Sequence, residues 1–108
     1  MISSHILDTS IGQPAADVAI TLEKKNDQGI WLTLGNGATN NDGRVSFECP
    51  KEKGIYRLNF EIEAYYKKLN KEFFFLDNSI VFQVLSTDRK YHVPLLLNPY
   101  GYTTYRGS

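Results

Sequence analysis

Two histidines are the residues of this chain best suited to acid–base chemistry. His5 and His92 are the only histidines present, and each lies in a stretch whose residue pattern predicts a β-strand. An imidazole with a pKa near 6.5 can take up or release a proton at neutral pH. Because histidines in strands are more often structural than catalytic, the sequence alone leaves both alternatives open. If the fold brought them into one site, they could divide the proton transfers of one reaction.

Arg44 and Cys49 are two further candidates for chemistry. Arg44 follows the turn-forming pair Asp42-Gly43, so it is predicted to begin a strand. Its planar guanidinium could anchor an anionic or carbonyl-rich ligand, although a solvent-exposed cation is the commoner outcome. Cys49 ends an alternating pattern with Val45 and is predicted to pack in the core rather than to react.

The sequence patterns of metal sites and of nucleophilic serines are missing. The two histidines, the single cysteine and the scattered aspartates do not show the spacing of zinc ligands, so we expect no metal. Ser108 is not part of a visible Ser-His-acid pattern, and its role is undetermined by local reasoning.

Length and charge exclude several classes of protein. A chain of 108 residues predicts one domain, residues 1–108, with a core too small for a deep cavity, so a large pocket would more easily lie between subunits. Twelve basic and twelve acidic side chains cancel, which argues against a nucleic-acid binder. One cysteine fits a reducing compartment, and we find neither a signal-peptide pattern nor a membrane-spanning run. We therefore expect a cytoplasmic protein.

Alternation of apolar and polar residues predicts that strands dominate the fold. In "GIWLTLG" (residues 29–35), for example, Ile30, Leu32 and Leu34 share the face predicted to be buried. Turn sequences separate the alternating stretches at intervals typical of a sandwich or barrel. A stripe of Tyr65, Leu69 and Phe73 predicts one short helix over residues 63–70. The expected fold is an all-β sandwich of two antiparallel sheets with seven or eight strands.

The last two predicted strands have unusual edges. Pro94 cannot donate a backbone hydrogen bond, so it predicts an edge or a bulge in its strand. The aromatic segment 101–106 predicts an exposed edge that a second copy of the chain could cover.

Several separated motifs resemble one known family. They are "HILDTSIGQPA" (residues 5–15), "TNNDGR" (39–44), "GIYRLNF" (54–60) and "YHVPLLLNPYGYTTYRGS" (91–108). Together they are similar to the transthyretin-related family, and the closing Tyr-Arg-Gly-Ser resembles its enzymatic branch, the 5-hydroxyisourate hydrolases. The sequence departs from the family pattern after "EFFF", where residues 76–79 lack the usual proline.

The resemblance implies a fold, an assembly and an activity. The implied fold is a transthyretin-like, eight-stranded antiparallel β-sandwich with one short helix. The implied assembly is a homotetramer, a dimer of dimers whose active sites lie between the dimers. The implied reaction is hydrolysis of 5-hydroxyisourate to 2-oxo-4-hydroxy-4-carboxy-5-ureidoimidazoline during urate degradation, without metal or organic cofactor.

The resemblance also assigns roles to five residues of this sequence. His5, Arg44, His92 and Ser108 would be catalytic, and His5, Arg44 and Tyr105 would bind the substrate. Which histidine acts as the base is not determined at this point. A non-catalytic carrier of small ligands on the same fold is the main alternative, and a structural interaction module is the second.

Overall fold

Two β-sheets packed face to face form the fold. The computed structural model describes residues 1–107. Its elements are β1 (Ile2–Asp8), β2 (Gln13–Pro14), β3 (Ala19–Lys25), β4 (Trp31–Ala38), β5 (Arg44–Phe47), β6 (Gly54–Phe60), α1 (Ile62–Lys68), β7 (Asn78–Val84), β8 (Tyr91–Asn98) and β9 (Gly101–Thr104). None of the described residues belongs to a helix with the length and apolar composition of a membrane span.

The strand order brings the two ends of the chain together in one sheet. The first sheet runs β2-β1-β8-β9, with β5 also paired to β1, and the second runs β4-β3-β6-β7. The predicted β-sandwich with one helix is confirmed. Two details differ from the expectation: β2 is an additional two-residue strand, and β1 and β8 are parallel. A parallel pair needs a long crossover connection, and here most of the chain lies between these two strands.

Period-two burial in β1 separates a core face from an outer face. Ile2, Ser4, Ile6 and Asp8 are buried, and the residues between them are half-buried. Because successive side chains of a strand point to opposite faces, His5 lies on the outer face of the first sheet. The core between the sheets is built from aliphatic and aromatic side chains of both, among them Ile6, Leu22, Leu58, Phe60 and Leu95.

The helix exists, but its boundaries and its buried face differ from the prediction. It begins at Ile62 and ends at Lys68, and it buries Ile62, Tyr65 and Tyr66. Leu69, predicted to face the core, is 44% exposed. A seven-residue helix makes only two turns, so its apolar contact is one i, i+3, i+4 cluster.

Strand β4 is present, but the face of it predicted to be buried is exposed. Ile30, Leu32 and Leu34 are 56%, 50% and 37% exposed. The ladder between β3 and β4 shifts register at Leu22/Glu23, and β4 is an edge strand. The opposite sheet contacts β4 at Gly35 and Gly37, where Phe47 and Val45 pack closely.

Candidate active site

Side chains of β5, β1 and β8 form two rows across the outer face of the first sheet. In one row His5 lies between Arg44 of β5 and Pro94 of β8. In the adjacent row Ser3 lies between Ser46 and His92. Directly paired residues in a sheet have Cβ atoms about 5 Å apart, and diagonal neighbours about 7–8 Å. The sheet therefore brings His5, Arg44 and His92 together from three separate strands.

A tight turn positions Arg44 beside His5. The Asn40 side-chain oxygen accepts hydrogen bonds from the backbone N–H groups of Asp42 and Arg44, at 2.9 and 3.0 Å. Gly43 has φ +74°, and its oxygen accepts from Ile6 N at 2.8 Å. A Cβ at Gly43 would lie 2.5 Å from the oxygen of Ile6, so only glycine allows β5 to start here. Arg44 begins its strand, as predicted.

The imidazole of His92 is held on two sides. Ser3 Oγ lies 2.8 Å from His92 Nδ1. On another side Gly107 approaches so closely that an added Cβ would be 2.6 Å from His92 Cδ2. Gly107 N also donates to His92 O at 2.8 Å, which ties the C-terminal segment to β8. The ring is therefore restrained by β1 and by the C-terminal segment together.

Pro94 explains how the C-terminal segment reaches His92. The ladder between β8 and β9 runs from the pair Asn98–Gly101 to the pair Leu95–Thr104 and stops there. Pro94 has no N–H to donate, so the regular ladder does not continue past it. Thr104 Oγ1 instead donates to Pro94 O at 2.8 Å, and pairing resumes as a single bridge between His92 and Gly107. The predicted irregularity at Pro94 is therefore an interruption of this ladder.

The environment of His92 favours its neutral form. Burial lowers the pKa of His92, and the positive charge of Arg44 and the proximity of His5 lower it further. All three causes disfavour the imidazolium, which would be partly desolvated beside a guanidinium. The imidazole therefore stays neutral to lower pH than an ordinary histidine.

The effect of Arg44 on His92 can be measured directly. Replacing Arg44 by Gln removes a positive charge, so we expect the pKa of His92 to rise toward its ordinary value near 6.5. An NMR titration of the imidazole C–H signals measures this, and two histidines make the assignment simple. Lys53→Gln is a matched control, because exposed Lys53 is not among the charges acting on His92. An unchanged His92 titration in the Arg44 variant would contradict the assigned cause.

An open depression on this face gives a ligand access to Arg44 and His92, whereas His5 is not among the residues that line it. Its volume is about 510 Å³, and Arg44, Ser46, Lys90 and His92 line it together with Ser3. The lining combines two cations with an imidazole and hydroxyl groups. Such a surface can bind a polar, carbonyl-rich molecule and exchange protons with it.

Tyr105 lies in a different cavity from His92 and Arg44. That cavity has a volume of about 330 Å³ and lies between the edges of the two sheets, where Ile80, Phe82, Val93 and Arg106 also line it. Tyr105 is 57% exposed. The single chain therefore does not bring Tyr105 into the depression, and its role in substrate binding stays a prediction. Ser108 lies outside the described residues.

Asp8 and Cys49 have structural roles. Asp8 is fully buried on the core face, where its carboxylate accepts hydrogen bonds from Tyr65 Oη at 2.8 Å and from Ser10 N at 3.0 Å. Cys49 packs against the core, and burial raises the pKa of its thiol. A raised thiol pKa disfavours the thiolate, which agrees with the predicted packing role.

Sequence reasoning missed two residues of this site, Ser3 and Gly107. The alternation of β1 could have placed Ser3 on the same face as His5. No local signal shows that β1 and β8 are parallel, and this pairing is what sets Ser3 against His92.

The chain matches proteins of one family over nearly its whole length. Residues 2–107 match the model of the HIUase/Transthyretin family. The 5-hydroxyisourate hydrolase of Salmonella dublin is 41% identical, over 100% of this chain and 81% of the relative.

Two solved structures have the same fold. A 5-hydroxyisourate hydrolase of Klebsiella pneumoniae superposes with a TM-score of 0.86 at 35% identity, covering 99% of this chain and 92% of the other. Sea bream transthyretin in complex with thyroxine gives 0.92 at 29% identity, covering 98% and 93%. On the combined sequence and structural match, this chain belongs to the HIUase/Transthyretin family.

Proposed function

We propose that this protein hydrolyses 5-hydroxyisourate to 2-oxo-4-hydroxy-4-carboxy-5-ureidoimidazoline, a step of urate degradation. The observation that carries the proposal is the grouping of His5, Arg44 and His92 on one face of the first sheet. Relatives that match the whole chain are named 5-hydroxyisourate hydrolases. The site offers the proton-transfer groups and the cation that this ring opening needs.

The reaction adds water across a carbon–nitrogen bond of the ring. The oxygen of water forms a bond to the acyl carbon, the carbonyl oxygen gains negative charge, and the bond to the ring nitrogen then breaks. One imidazole takes the proton of water, and the leaving nitrogen receives a proton. Arg44 stabilises the negative charge that develops on oxygen. Within this scheme Ser108 relays the proton to the leaving nitrogen, and Tyr105 holds the ring.

The edges of both sheets support assembly into a homotetramer. Strands β7 and β9 are edge strands that each pair with one strand only among the described residues, and both border the cavity that contains Tyr105. Unpaired edges of this kind are regularly covered by pairing with another copy. The depression containing His92 would then form one wall of a channel between dimers, and a neighbouring subunit could bring Tyr105 or Ser108 to the substrate.

The fold alone does not distinguish a hydrolase from a carrier. The TM-score is 0.92 to the thyroxine-bound transthyretin and 0.86 to the hydrolase. The side chains distinguish them, because a carrier that performs no proton transfer has no need of two histidines and an arginine on one sheet face. These three residues favour hydrolysis over the carrier alternative.

A coupled assay tests the proposed function. Urate oxidase generates 5-hydroxyisourate in the cuvette, and its ultraviolet absorbance then decays spontaneously. We expect the wild-type protein to accelerate this decay, and the double variant His5→Ala/His92→Ala to leave it at the spontaneous rate. Decay that is equally slow with and without the wild-type protein would refute the hydrolase assignment.

A further inference from the structure

Ser3 lies where it can determine which ring nitrogen of His92 carries the proton. The two residues are direct partners of the parallel strands β1 and β8, and Ser3 Oγ is 2.8 Å from His92 Nδ1. Gly107 closes the side of the ring at Cδ2. Within residues 1–107 the ring hydrogen-bonds through Nδ1 alone, so Nε2 is the nitrogen that can meet a substrate.

The hydrogen-bonding capacity of the two groups indicates which of them donates. A neutral imidazole carries one proton, on Nδ1 or on Nε2, and a hydroxyl has one proton and two lone pairs. The Ser3 hydroxyl makes no second hydrogen bond within the described part of the chain, so His92 Nδ1 is the acceptor available there for its proton. When Ser3 donates to Nδ1, the imidazole proton must be on Nε2.

We propose that Ser3 is a positioning residue that holds His92 in its Nε2–H tautomer, which makes His92 the hydrogen-bond donor of the site and His5 its base. This inference rests on the proposed hydrolysis of 5-hydroxyisourate. His92 Nε2–H donates to the substrate oxygen as it gains negative charge, and His5 takes the proton of the attacking water. A preorganised donor of this kind stabilises the transition state without reorganisation.

The electrostatic surroundings of His92 agree with a role as a neutral donor. Burial, Arg44 and His5 lower its pKa, so the imidazole stays neutral and is a weaker base than an ordinary histidine. A weak base makes a poor acceptor for the proton of water, whereas its N–H still donates. The lowered pKa of His92 therefore favours the donor role for this residue.

The tautomer of His92 can be observed in the free protein by NMR. Long-range ¹H–¹⁵N spectra at a pH where His92 is neutral distinguish the protonated ring nitrogen from the unprotonated one. We expect Nε2 to carry the proton in the wild-type protein. In Ser3→Ala the two ¹⁵N shifts should approach each other as both tautomers become populated, and Ser3→Thr, which keeps the hydroxyl, should retain the wild-type shifts.

Activity measurements with a matched control complete the test. We expect Ser3→Ala to lower kcat roughly 5- to 10-fold, the usual effect of losing one neutral hydrogen bond, and Ser3→Thr to restore most of it. Ser4→Ala is the control, because Ser4 is the adjacent serine of β1 and donates to Val93 O at 2.7 Å on the core side. This variant removes a hydrogen bond between the same two strands, and we expect it to leave the His92 tautomer and kcat unchanged.

Two results would overturn the inference. One is a wild-type His92 with its proton on Nδ1, which would make Nε2 the lone-pair nitrogen and His92 the base. The other is a Ser3→Ala protein with wild-type kcat and wild-type ¹⁵N shifts. Failure of the proposed function would look different, because the wild-type protein would then not accelerate 5-hydroxyisourate decay at all, whatever the tautomer.

Discussion

Replacing His92 by Ala should lower kcat for 5-hydroxyisourate hydrolysis by at least about 100-fold. Removing a general acid–base group or an oxyanion donor typically has an effect of this size. The fold should survive, because His92 lies half-buried on the outer face of the sheet and its side chain makes one hydrogen bond within the described residues, to Ser3. The measurement is the kcat of the purified variant in the urate oxidase assay.

A second variant of the same residue distinguishes its two possible roles. His92→Gln keeps an N–H donor on a side chain of similar reach, whereas an amide cannot act as a base. If His92 donates to the substrate oxygen, Gln should recover part of the activity that Ala loses. Circular dichroism and thermal unfolding of both variants should match the wild type. An Ala variant with more than about a third of wild-type kcat would show that His92 has no major catalytic role.

Much of this fold could be predicted because its signals are local. The alternation in β3 and β6 identifies which of their residues face the core, and the Asp42-Gly43 turn places Arg44 at the start of a strand. The prediction of which residues are buried failed where burial depends on a sheet formed by distant parts of the sequence. Leu32 alternates like a core residue, but it lies on an edge strand and is half exposed because the opposite sheet does not cover it.

The candidate site also depends partly on residue types visible in the sequence and partly on pairing between distant strands. His5, Arg44 and His92 stand out by residue type, and the family resemblance assigns all three to one site. Their proximity arises from two pairings of β1, antiparallel with β5 and parallel with β8. The parallel pairing sets Ser3 against a residue 89 positions further along the chain. Ser3 and Gly107 matter through contacts with His92 that only this pairing and the C-terminal bridge create. Nothing in their own residue type marks them.

Substitution of Gly107 should impair catalysis although this residue has no side chain to contribute. A Cβ at this position would lie 2.6 Å from His92 Cδ2 and 3.2 Å from Pro94 Cγ. Neither neighbour is a flexible chain end: the imidazole is held by Ser3, and the pyrrolidine ring of Pro94 is rigid. Gly107→Ala must therefore displace the imidazole or lift the C-terminal segment from β8.

We expect Gly107→Ala to lower kcat by roughly 10- to 100-fold, since a displacement of about 1 Å at a catalytic group can have an effect of that size. The ¹⁵N and C–H signals of His92 should shift as well, which links the loss to the imidazole. Gly101→Ala is the matched control in the same C-terminal segment, because its Cβ would meet only Asn98, at an ordinary 3.8 Å. Activity in Gly107→Ala equal to that of Gly101→Ala would show that His92 does not depend on this close contact. A loss confined to Gly107→Ala would make the C-terminal segment part of the machinery that orients His92.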